Sequence, residues 1–457
     1  MNTKKPKVAV VILAAGMGTR MNSDLPKVLH PLLGKPMVEY IFDAVRDICE
    51  DPPLVVVGNC AELVMETLGD KACYVLQEPQ LGTAHAVQCA REVLRGKSDI
   101  VLVANSDFPL ITAETYALLV KTHQENNSKL TLSTVVSDES RGFGRILRDS
   151  TGRIIGIVEE KAASPEQKKI TEFNSNPYCF DAEWLWGALD QVEKSEVGEY
   201  YLTDLVEIAA NSGQPVGSIE IEDHQESIGI NNRVHLAEAT KVIQQRINRK
   251  WMLEGVTMID PDKVFIDDTV TLGKDTVLYP EVYLRGATSV GSGCQLGPSV
   301  MLENTTVGDR CKLIYAVLES AKLENDVDMG PFGHLRRGAH LDDHVHMGNF
   351  GEIKNSYLAP GVKMGHFSYI GDAHVGKNVN IGAGTITCNF DGEGKFTTEI
   401  GEDAFIGSDT MLVAPVKIGK GAKTGAGAVV THDVPDGTTV VGVPAKELSI
   451  KKEGEQK

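Results

Sequence analysis

The sequence predicts a doubly wound α/β domain, then a linking helix, and then a parallel β-helix of hexapeptide repeats. Short apolar runs alternate with helical patterns from residue 7 to about 230, which is typical of a mainly parallel sheet covered by helices. Residues 231–255 have one long helical pattern, and from about 260 onward the hydrophobic period becomes six. The 457 residues are also too many for one ordinary core, so two or more domains are expected.

The first predicted strand, 8–12, is followed by a glycine-containing loop with small side chains over 13–21. Backbone N–H groups of such a loop can approach a phosphate chain closely, and Arg20 and Lys27 add positive charge. The loop resembles the signature of sugar-phosphate nucleotidyltransferases and is neither a P-loop nor a dinucleotide fingerprint. The agreement at nine consecutive positions, with the lysine at the expected place, disfavours the alternative of a plain turn with two surface cations.

Two polar segments lie later in the α/β domain, where ligands of parallel sheets bind outside the carboxyl ends of strands. Asp107 follows the apolar run 100–104, where a carboxylate is suited either to Mg²⁺ or to capping a helix. Residues 77–86 offer amide groups and the turn Gly82-Thr83, suited to the edge of a uracil ring. For Gly82-Thr83 alone, a simple helix start is the alternative interpretation.

The hexapeptide pattern is clearest over 400–425, where an apolar residue recurs every sixth position and glycine usually follows it. Three hexads close one triangular coil with the apolar residue inward, and an irregular glycine-rich sheet would not keep phase over five hexads. His366 lies between the inward positions Met364 and Ile370 and is expected to face outward. An outward histidine is by default a solvated side chain, but Arg336 and Lys354 on neighbouring coils would suit a sugar phosphate.

Composition narrows the function classes. The formal net charge of −18 argues against broad nucleic-acid binding, and no apolar run has the length needed to span a bilayer. The first residues lead into the first strand without an apolar signal region, and the eight cysteines are scattered without a C-x-x-C pair. We therefore expect a cytoplasmic enzyme that binds neither nucleic acid nor membrane.

Over nearly all of its length the chain resembles the bacterial bifunctional N-acetylglucosamine-1-phosphate uridyltransferase/glucosamine-1-phosphate N-acetyltransferases, the GlmU family. The resemblance implies a nucleotidyltransferase domain at 1–230, a linker helix at 231–255 and a left-handed β-helix acetyltransferase domain at 256–457. It implies UTP, N-acetylglucosamine 1-phosphate, glucosamine 1-phosphate and acetyl-CoA as substrates, Mg²⁺ as cofactor, and a homotrimer. An alternative is a sugar-phosphate nucleotidyltransferase whose β-helix serves only oligomerisation, and a weaker one is a binding protein with a decayed nucleotidyltransferase domain.

The resemblance also implies roles for residues of the first domain. Arg20 would stabilise the triphosphate in the transition state, and Asp107 with Asn231 would hold the metal. Asn105-Ser106 stand where the family usually has Tyr-Gly, which leaves their contacts with the nucleotide sugar open. The remaining positions matched to nucleotide and sugar contacts are Leu13, Ala14, Ala15, Gly16, Lys27, Gln77, Gly82, Thr83, Gly144, Glu159 and Asn174.

For the second domain, the resemblance implies that His366 is the general base of acetyl transfer. The positions matched to the sugar phosphate are Arg336, Lys354, Tyr369, Asn380 and Lys395. The positions matched to acetyl-CoA are Ala383, Asn389, Phe390, Ser408 and Ala426, with Lys446 as a substitute for an arginine that the family often has where this chain has Gly442. A purely structural coil has no reason to keep the histidine and its surrounding donors together.

Overall fold

The computed structural model describes residues 6–196 and 198–448. The chain divides into two compact units, one ending at Ile243 and the other beginning at Gln244. This division falls inside the helix Arg233–Leu253, which occupies the stretch predicted as a long helix. The domain limits 1–230, 231–255 and 256–457 remain predictions.

The first unit is built on a nine-stranded sheet of described residues. Its main path runs through Val216–Glu220, Leu130–Val136, Glu172–Asp181, Ile100–Asn105, Val8–Leu13, Leu54–Val57 and Cys73–Leu76. Arg145–Arg148 and Ile154–Val158 extend it beside Glu172–Asp181, and a separate pair consists of Pro31–Leu32 and Lys35–Pro36. The strand Glu172–Asp181 is antiparallel to both its neighbours on the main path, whereas the other pairs of that path are parallel.

Helices cover both faces of this sheet, because alternate strand residues are apolar on each side. Val11, Val101 and Val103 belong to one buried cluster, while Val10 and Leu102 belong to the other. Two buried faces are the signature of a doubly wound sheet. The helices are Met37–Val45, Ala61–Leu68, Thr83–Cys89, Arg91–Leu94, Ala113–Glu125, Ala182–Ala188, Asp204–Asn211 and Arg233–Leu253, with 3₁₀ turns at Thr19–Met21, Lys27–Leu29, Gly69–Lys71, Gln167–Lys169, Leu189–Gln191 and His224–Ser227.

The second unit consists, in its described residues, of three sheets whose strands stack coil upon coil. The first sheet contains Thr257–Met258, Val277–Leu278, Gln295–Leu296, Lys312–Leu313, Asp328–Met329, His346–Met347, Lys363–Met364, Asn380–Ile381, Phe405–Ile406, Lys423–Thr424, Thr439–Val441 and Lys446–Glu447. The second contains Val264–Ile266, Val282–Arg285, Val300–Glu303, Ala316–Glu319, Gly333–Leu335, Gly351–Lys354, Ser368–Gly371, Ile386–Cys388, Met411–Val413 and Val429–Val430. The third contains Thr271–Leu272, Ser289–Val290, Thr306–Val307, Lys322–Leu323, His340–Leu341, Tyr357–Leu358, Ala373–Val375, Thr398–Ile400 and Val416–Ile418, and a 3₁₀ turn lies at Pro261–Lys263.

The inward residue of each hexad builds the core of the β-helix. In the second sheet Ile266, Leu284, Leu302 and Leu318 are aligned on successive parallel strands, and each is fully buried. Burying such a side chain contributes about 1.5–3 kcal/mol, so a repeat that is weak alone becomes stable when its neighbours stack on it. The last pair, Thr439–Val441 with Lys446–Glu447, is antiparallel and ends the coil. Within the described residues no helix is both long and apolar enough to cross a membrane.

Candidate active sites

A cavity of about 560 Å³ lies at the carboxyl ends of the central strands of the first unit. Its walls include the glycine-containing loop after the first strand and the segment after Ile100–Asn105. The predicted residues that line it are Leu13, Ala15, Gly16, Arg20, Lys27, Gln77, Gly82, Thr83, Asn105, Ser106, Asp107 and Asn231. The structure therefore gathers residues that are more than 200 positions apart into one concave surface.

Four charged and polar side chains form one hydrogen-bonded cluster in this cavity. Lys27 Nζ is 2.7 Å from Asp107 Oδ2 and 3.3 Å from Asn231 Oδ1. Arg20 Nη2 donates to the same Asn231 oxygen at 2.9 Å. Gly18 permits the close approach of Lys27, because a Cβ at this position would lie 2.7 Å from Lys27 Cβ and the φ of +60° is left-handed. Two oxygens thus converge on one positive charge.

The donor set suits a hard divalent cation. Asp107 and Asn231 present one carboxylate and one amide oxygen to the same point, and Mg²⁺ prefers oxygen ligands. Within the described residues no group of three or more His, Cys, Asp or Glu side chains could hold a metal ion. A small number of protein ligands is usual for Mg²⁺ in phosphoryl-transfer sites, where water and substrate phosphates supply the other oxygens.

Ser106 holds the start of the glycine-containing loop in place. Ser106 is buried, and its hydroxyl donates to the Leu13 carbonyl at 2.6 Å while its backbone N–H donates to the same oxygen at 3.1 Å. Asn105 Oδ1 is buried and has no hydrogen-bond partner among the described residues. Ala14 points into the sheet core and is absent from the cavity lining. The contribution of Ser106 is thus to position the loop that begins at Leu13.

The turn Gly82-Thr83 begins a helix, as the alternative interpretation expected. The helix Thr83–Cys89 starts directly after Gly82, whose φ is +102°. A Cβ at Gly82 would lie 2.5 Å from the Tyr200 carbonyl oxygen, so only glycine allows the two backbones to touch. Thr83 Oγ1 accepts a hydrogen bond from the Leu202 backbone at 2.9 Å. The turn therefore serves both to start the helix and to hold the segment 200–202 against the cavity.

Sequence reasoning left eight residues of the cavity lining without a role, namely Met17, Gly18, Thr19, Val28, Gln80, Ala86, Glu199 and Tyr201. Glu199 and Tyr201 reach it because the Tyr200 backbone is bound to Leu81 and Ala84 at 2.8 and 3.0 Å. Such a backbone contact between distant segments leaves no periodic signal in the sequence. The polar run Glu199-Tyr200-Tyr201 before an apolar residue was the only available hint.

Three predicted sugar-contact residues lie close to one another and are absent from the cavity lining. Asn174 donates its backbone N–H to the Gly144 carbonyl at 2.9 Å, and Gly144 lies against the Glu159 carboxylate. Burial raises the pKa of Glu159, partly offset by a hydrogen bond from Thr203. Burial and the charges of Glu159 and Glu207 raise the pKa of Asp204 to about 6. Glu159, Asp204 and Glu207 thus form an acidic cluster at these positions, in which Glu159 and Asp204 are partly desolvated.

In the second unit, two cations of neighbouring coils lie close to a third from a loop. Arg336 directly follows the strand Gly333–Leu335 and Lys354 ends the next strand of the second sheet, and Arg336 Nη1 is 3.0 Å from Glu352 Oε1. The pKa of Lys354 is lowered by its hydrogen-bonding contact with Lys395 and by the charges of Lys395 and Arg336. Tyr369 lies in register with Glu352 on the next strand. Concentrated positive charge of this kind favours a dianionic phosphate.

The loop that interrupts the hexads brings Lys395 to this position. Phe396 N–H donates to the Asn389 carbonyl at 2.9 Å, and Phe390 bridges to Lys395, so the loop folds back on itself. Asn389 is buried, and its side-chain amide donates to Asp372. Phe390 is 60% exposed. Asn389 therefore anchors the loop, and Phe390 stands in solvent beside it.

His366 belongs to a column of equivalent positions on successive coils. Met364, Ile381, Ile406 and Thr424 are aligned in the first sheet, and the residue two positions after each of them occupies the same corner. These corner residues are His366, Ala383, Ser408 and Ala426. With about 4.8 Å between coils, the column extends roughly 14 Å.

The two other predicted residues of this unit lie on the first sheet. Lys446 lies on the exposed final strand, opposite Val441, which covers Gly425 beside the end of the column. Asn380 lies in register with Lys363 on the strand before it and with Phe405 on the strand after it. It therefore lies on a different sheet from Arg336, Lys354 and Tyr369.

Comparisons with known proteins match both units. The model of the nucleotidyl transferase family matches residues 9–252, and that of the bacterial transferase hexapeptide (six repeats) matches residues 397–432. The chain is 45% identical to the Bifunctional protein GlmU of Heliobacterium modesticaldum, with 95% of each chain covered. It is 44% identical to that of a Geobacillus species, with 97% of this chain and 96% of the relative covered.

The chain belongs to the GlmU family. A further relative, the Bifunctional protein GlmU of Listeria monocytogenes, is 44% identical over 93% of each chain. Membership confirms the predicted family and the predicted fold class, in which a nucleotidyltransferase domain precedes a left-handed hexapeptide β-helix. In this GlmU-family chain, the cavity of the first unit and the corner column of the second are the two candidate active sites.

Proposed function

We propose that these two places are the active sites of a bifunctional enzyme of UDP-N-acetylglucosamine synthesis. The enzyme transfers the acetyl group of acetyl-CoA to glucosamine 1-phosphate, and then joins N-acetylglucosamine 1-phosphate to UTP with release of pyrophosphate. The observation that carries the assignment is that each unit gathers cations where its substrate's phosphate must lie. In the first unit these are Arg20 and Lys27, and in the second they are Arg336, Lys354 and Lys395.

For uridylyl transfer, the first unit mainly positions and neutralises anions. The loop N–H groups after Leu13 approach the triphosphate, and Arg20 with Lys27 offsets the charge that builds on it as the sugar phosphate attacks in line. Asp107 and Asn231 would hold Mg²⁺, which would supply positive charge to neutralise the phosphate oxygens. Lys27 Nζ lies 2.7 Å from Asp107 Oδ2, so this carboxylate has a cationic partner within the protein.

For acetyl transfer, His366 is the base that takes the proton of the sugar amine. It is exposed and lies in the corner column, so the amine can reach it while the pantetheine arm extends along Ala383, Ser408 and Ala426. Arg336, Lys354 and Lys395 hold the phosphate of the sugar. A base of this kind contributes about 10²–10⁴-fold to the rate, because the amine attacks the thioester only after losing its proton.

We further propose that the enzyme is a homotrimer that works in the cytoplasm. Tyr315, Phe332, Phe350 and Phe367 are exposed aromatic residues. The rings of Phe332 and Phe350 stack with centroids 5.1 Å apart, and the Tyr315 ring is tilted against that of Phe332 at 5.7 Å. An exposed apolar column suits contact with another copy, and Phe367 directly follows His366. The eight cysteines are free in the described chain, which agrees with the reducing compartment where acetyl-CoA and UTP are found.

The test uses the purified full chain with glucosamine 1-phosphate, acetyl-CoA, UTP and Mg²⁺, with free thiol and pyrophosphate followed separately. Release of both, with pyrophosphate dependent on prior acetylation, is the expected result. Pyrophosphate alone, and only from pre-acetylated sugar, would support the alternative in which the β-helix serves oligomerisation. Size-exclusion chromatography with light scattering tests the trimer on the same sample.

A further inference from the structure

Gln77 lies in the nucleotide cavity with its side-chain amide already bound on one side. It is only 3% exposed and follows the strand Cys73–Leu76. Its Nε2 donates to the Gly82 carbonyl at 2.9 Å. A carbonyl oxygen can only accept, so this contact requires that the amide nitrogen, and not the amide oxygen, faces Gly82.

The second contact of this amide is with His85, on the first turn of the helix Thr83–Cys89. His85 Nδ1 is 3.1 Å from Gln77 Nε2. Because Nε2 is a donor, Nδ1 must accept, which requires a neutral imidazole with its hydrogen on Nε2. Both hydrogens of the Gln77 amide are then used within the protein, and the oxygen Oε1 is the atom left for a ligand in the cavity.

We propose that His85 is a specificity-determining positioning residue, which holds the Gln77 amide so that only an acceptor faces the pyrimidine base. This inference rests on the proposed uridylyl transfer. Uracil has a donor at N3–H, which matches Gln77 Oε1. Cytosine has an unprotonated acceptor at N3, which is repelled by the same oxygen. His85 itself is absent from the cavity lining, so it acts on the base through Gln77.

The two hydrogen bonds of the Gln77 amide, to Gly82 and to His85, determine how much nucleotide preference depends on His85. Gly82 holds one hydrogen of the amide and His85 holds the other, so loss of His85 leaves a half-anchored amide that can rotate. One hydrogen bond of this kind corresponds to about a 3- to 10-fold change in preference. Asparagine at position 85 can place Oδ1 near the site of Nδ1, whereas phenylalanine keeps the ring shape without an acceptor.

The experiment compares UTP and CTP as substrates, with N-acetylglucosamine 1-phosphate, in wild type, His85→Phe and His85→Asn. We expect the ratio of kcat/KM for UTP over CTP to fall about 3- to 10-fold in His85→Phe and to be retained in His85→Asn. In ¹⁵N-histidine spectra, the His85 signal is identified as the one present in the wild type and absent from His85→Asn. That signal should show a hydrogen on Nε2 and none on Nδ1. Thermal unfolding of both variants checks that the first unit is folded.

The contradicting results are distinct. An unchanged UTP preference in a folded, active His85→Phe variant would overturn this inference alone, as would a hydrogen on Nδ1 in the wild type. A wild-type chain that does not use UTP would overturn the proposed uridylyl transfer, and with it this inference.

Discussion

The two candidate sites are built in opposite ways. In the first unit the polar groups already have partners, as in the contact of Lys27 with Asp107 and that of Ser106 with the Leu13 carbonyl. In the second unit Arg336 has a partner in Glu352, but Lys354 and Lys395 lie together, and Lys395 lowers the pKa of Lys354. A site made of loops at strand ends can pair its groups across segments, whereas in an outward site on a repeated coil the register of the strands fixes where the groups lie. We therefore expect the first site to exchange internal partners for substrate, and an anion to relieve the repulsion between the two lysines of the second.

The largest expected effect separates the two sites by chemistry. His366→Ala should reduce acetyl transfer about 10²- to 10⁴-fold, because the amine loses its base. Uridylyl transfer from pre-acetylated sugar should remain within twofold of wild type. Thiol release and pyrophosphate release measure the two rates. His374 is exposed on the strand Ala373–Val375 of the third sheet, so His374→Ala is the control variant. Equal loss of acetyl transfer in that control would contradict the role of His366.

A similar test applies to the paired cluster of the first unit. Lys27→Ala should reduce uridylyl transfer on the order of 10²-fold, because a donor that neutralises the phosphates is lost and the Asp107 carboxylate is left without its partner. Acetyl transfer should be unchanged. Lys71→Ala is the matched control, since that lysine pairs with Glu39 at the surface. A Lys27→Ala enzyme with normal uridylyl transfer would contradict the assignment of the cavity.

The repulsion among the cations of the second unit can be tested directly. Lys395→Ala should raise the KM for glucosamine 1-phosphate about tenfold, because one charged hydrogen bond to the phosphate is lost. The same change should raise the pKa of Lys354 towards its ordinary value, since Lys395 is the main cause of its depression. Lysine-selective NMR titration measures that pKa. No change in the Lys354 titration would show that the two side chains do not interact in solution.

The smallest expected effect concerns Asp204 in the acidic cluster near the predicted sugar-contact residues. The raised pKa of Asp204, about 6, means that the folded chain binds this proton more tightly than the unfolded chain. Its contribution to stability is therefore present at low pH and is lost as the pH rises from about 4 to 6. Asp204→Asn should stabilise the protein at pH 7 by about 1 kcal/mol, a figure discounted because the carboxylate is half-exposed.

Urea unfolding at pH 4 and pH 7 tests this prediction. The stabilisation by Asp204→Asn should be present at pH 7 and largely absent at pH 4, where the native aspartate is already neutral. Exposed Asp190 lies on the same unit, and Asp190→Asn serves as the control without stabilisation. A stabilisation by Asp204→Asn that is equal at both pH values would contradict the titration argument.

The fold was predictable because its signals are local and repeated. The inward residues of the hexads, such as Leu284 and Leu302, recur with fixed spacing, and one spacing error would expose each of them. The apolar runs of the first unit gave its doubly wound sheet for the same reason. The antiparallel strand Glu172–Asp181 was not distinguished, because strand direction depends on connections and leaves no mark in hydrophobicity.

The sites were predictable only in part. The glycine-containing loop and Lys27 carry a dense local pattern, but the function of Ser106 as an anchor of Leu13 depends on a contact between residues 93 positions apart in the chain. Glu199 and Tyr201 enter the cavity through backbone bonds of their neighbour Tyr200. Side chains that act through such distant backbone contacts can be assigned only once the fold has placed the two segments together.

The central claim is that one chain carries two independent sites linked by a diffusing intermediate. The most direct measurement mixes the Lys27→Ala and His366→Ala variants with glucosamine 1-phosphate, acetyl-CoA, UTP and Mg²⁺, and follows UDP-N-acetylglucosamine. Each variant alone should form almost no product, and the mixture should form it, because one variant acetylates the sugar and the other uridylylates it. A mixture as inactive as its components, with both variants folded, would contradict the account.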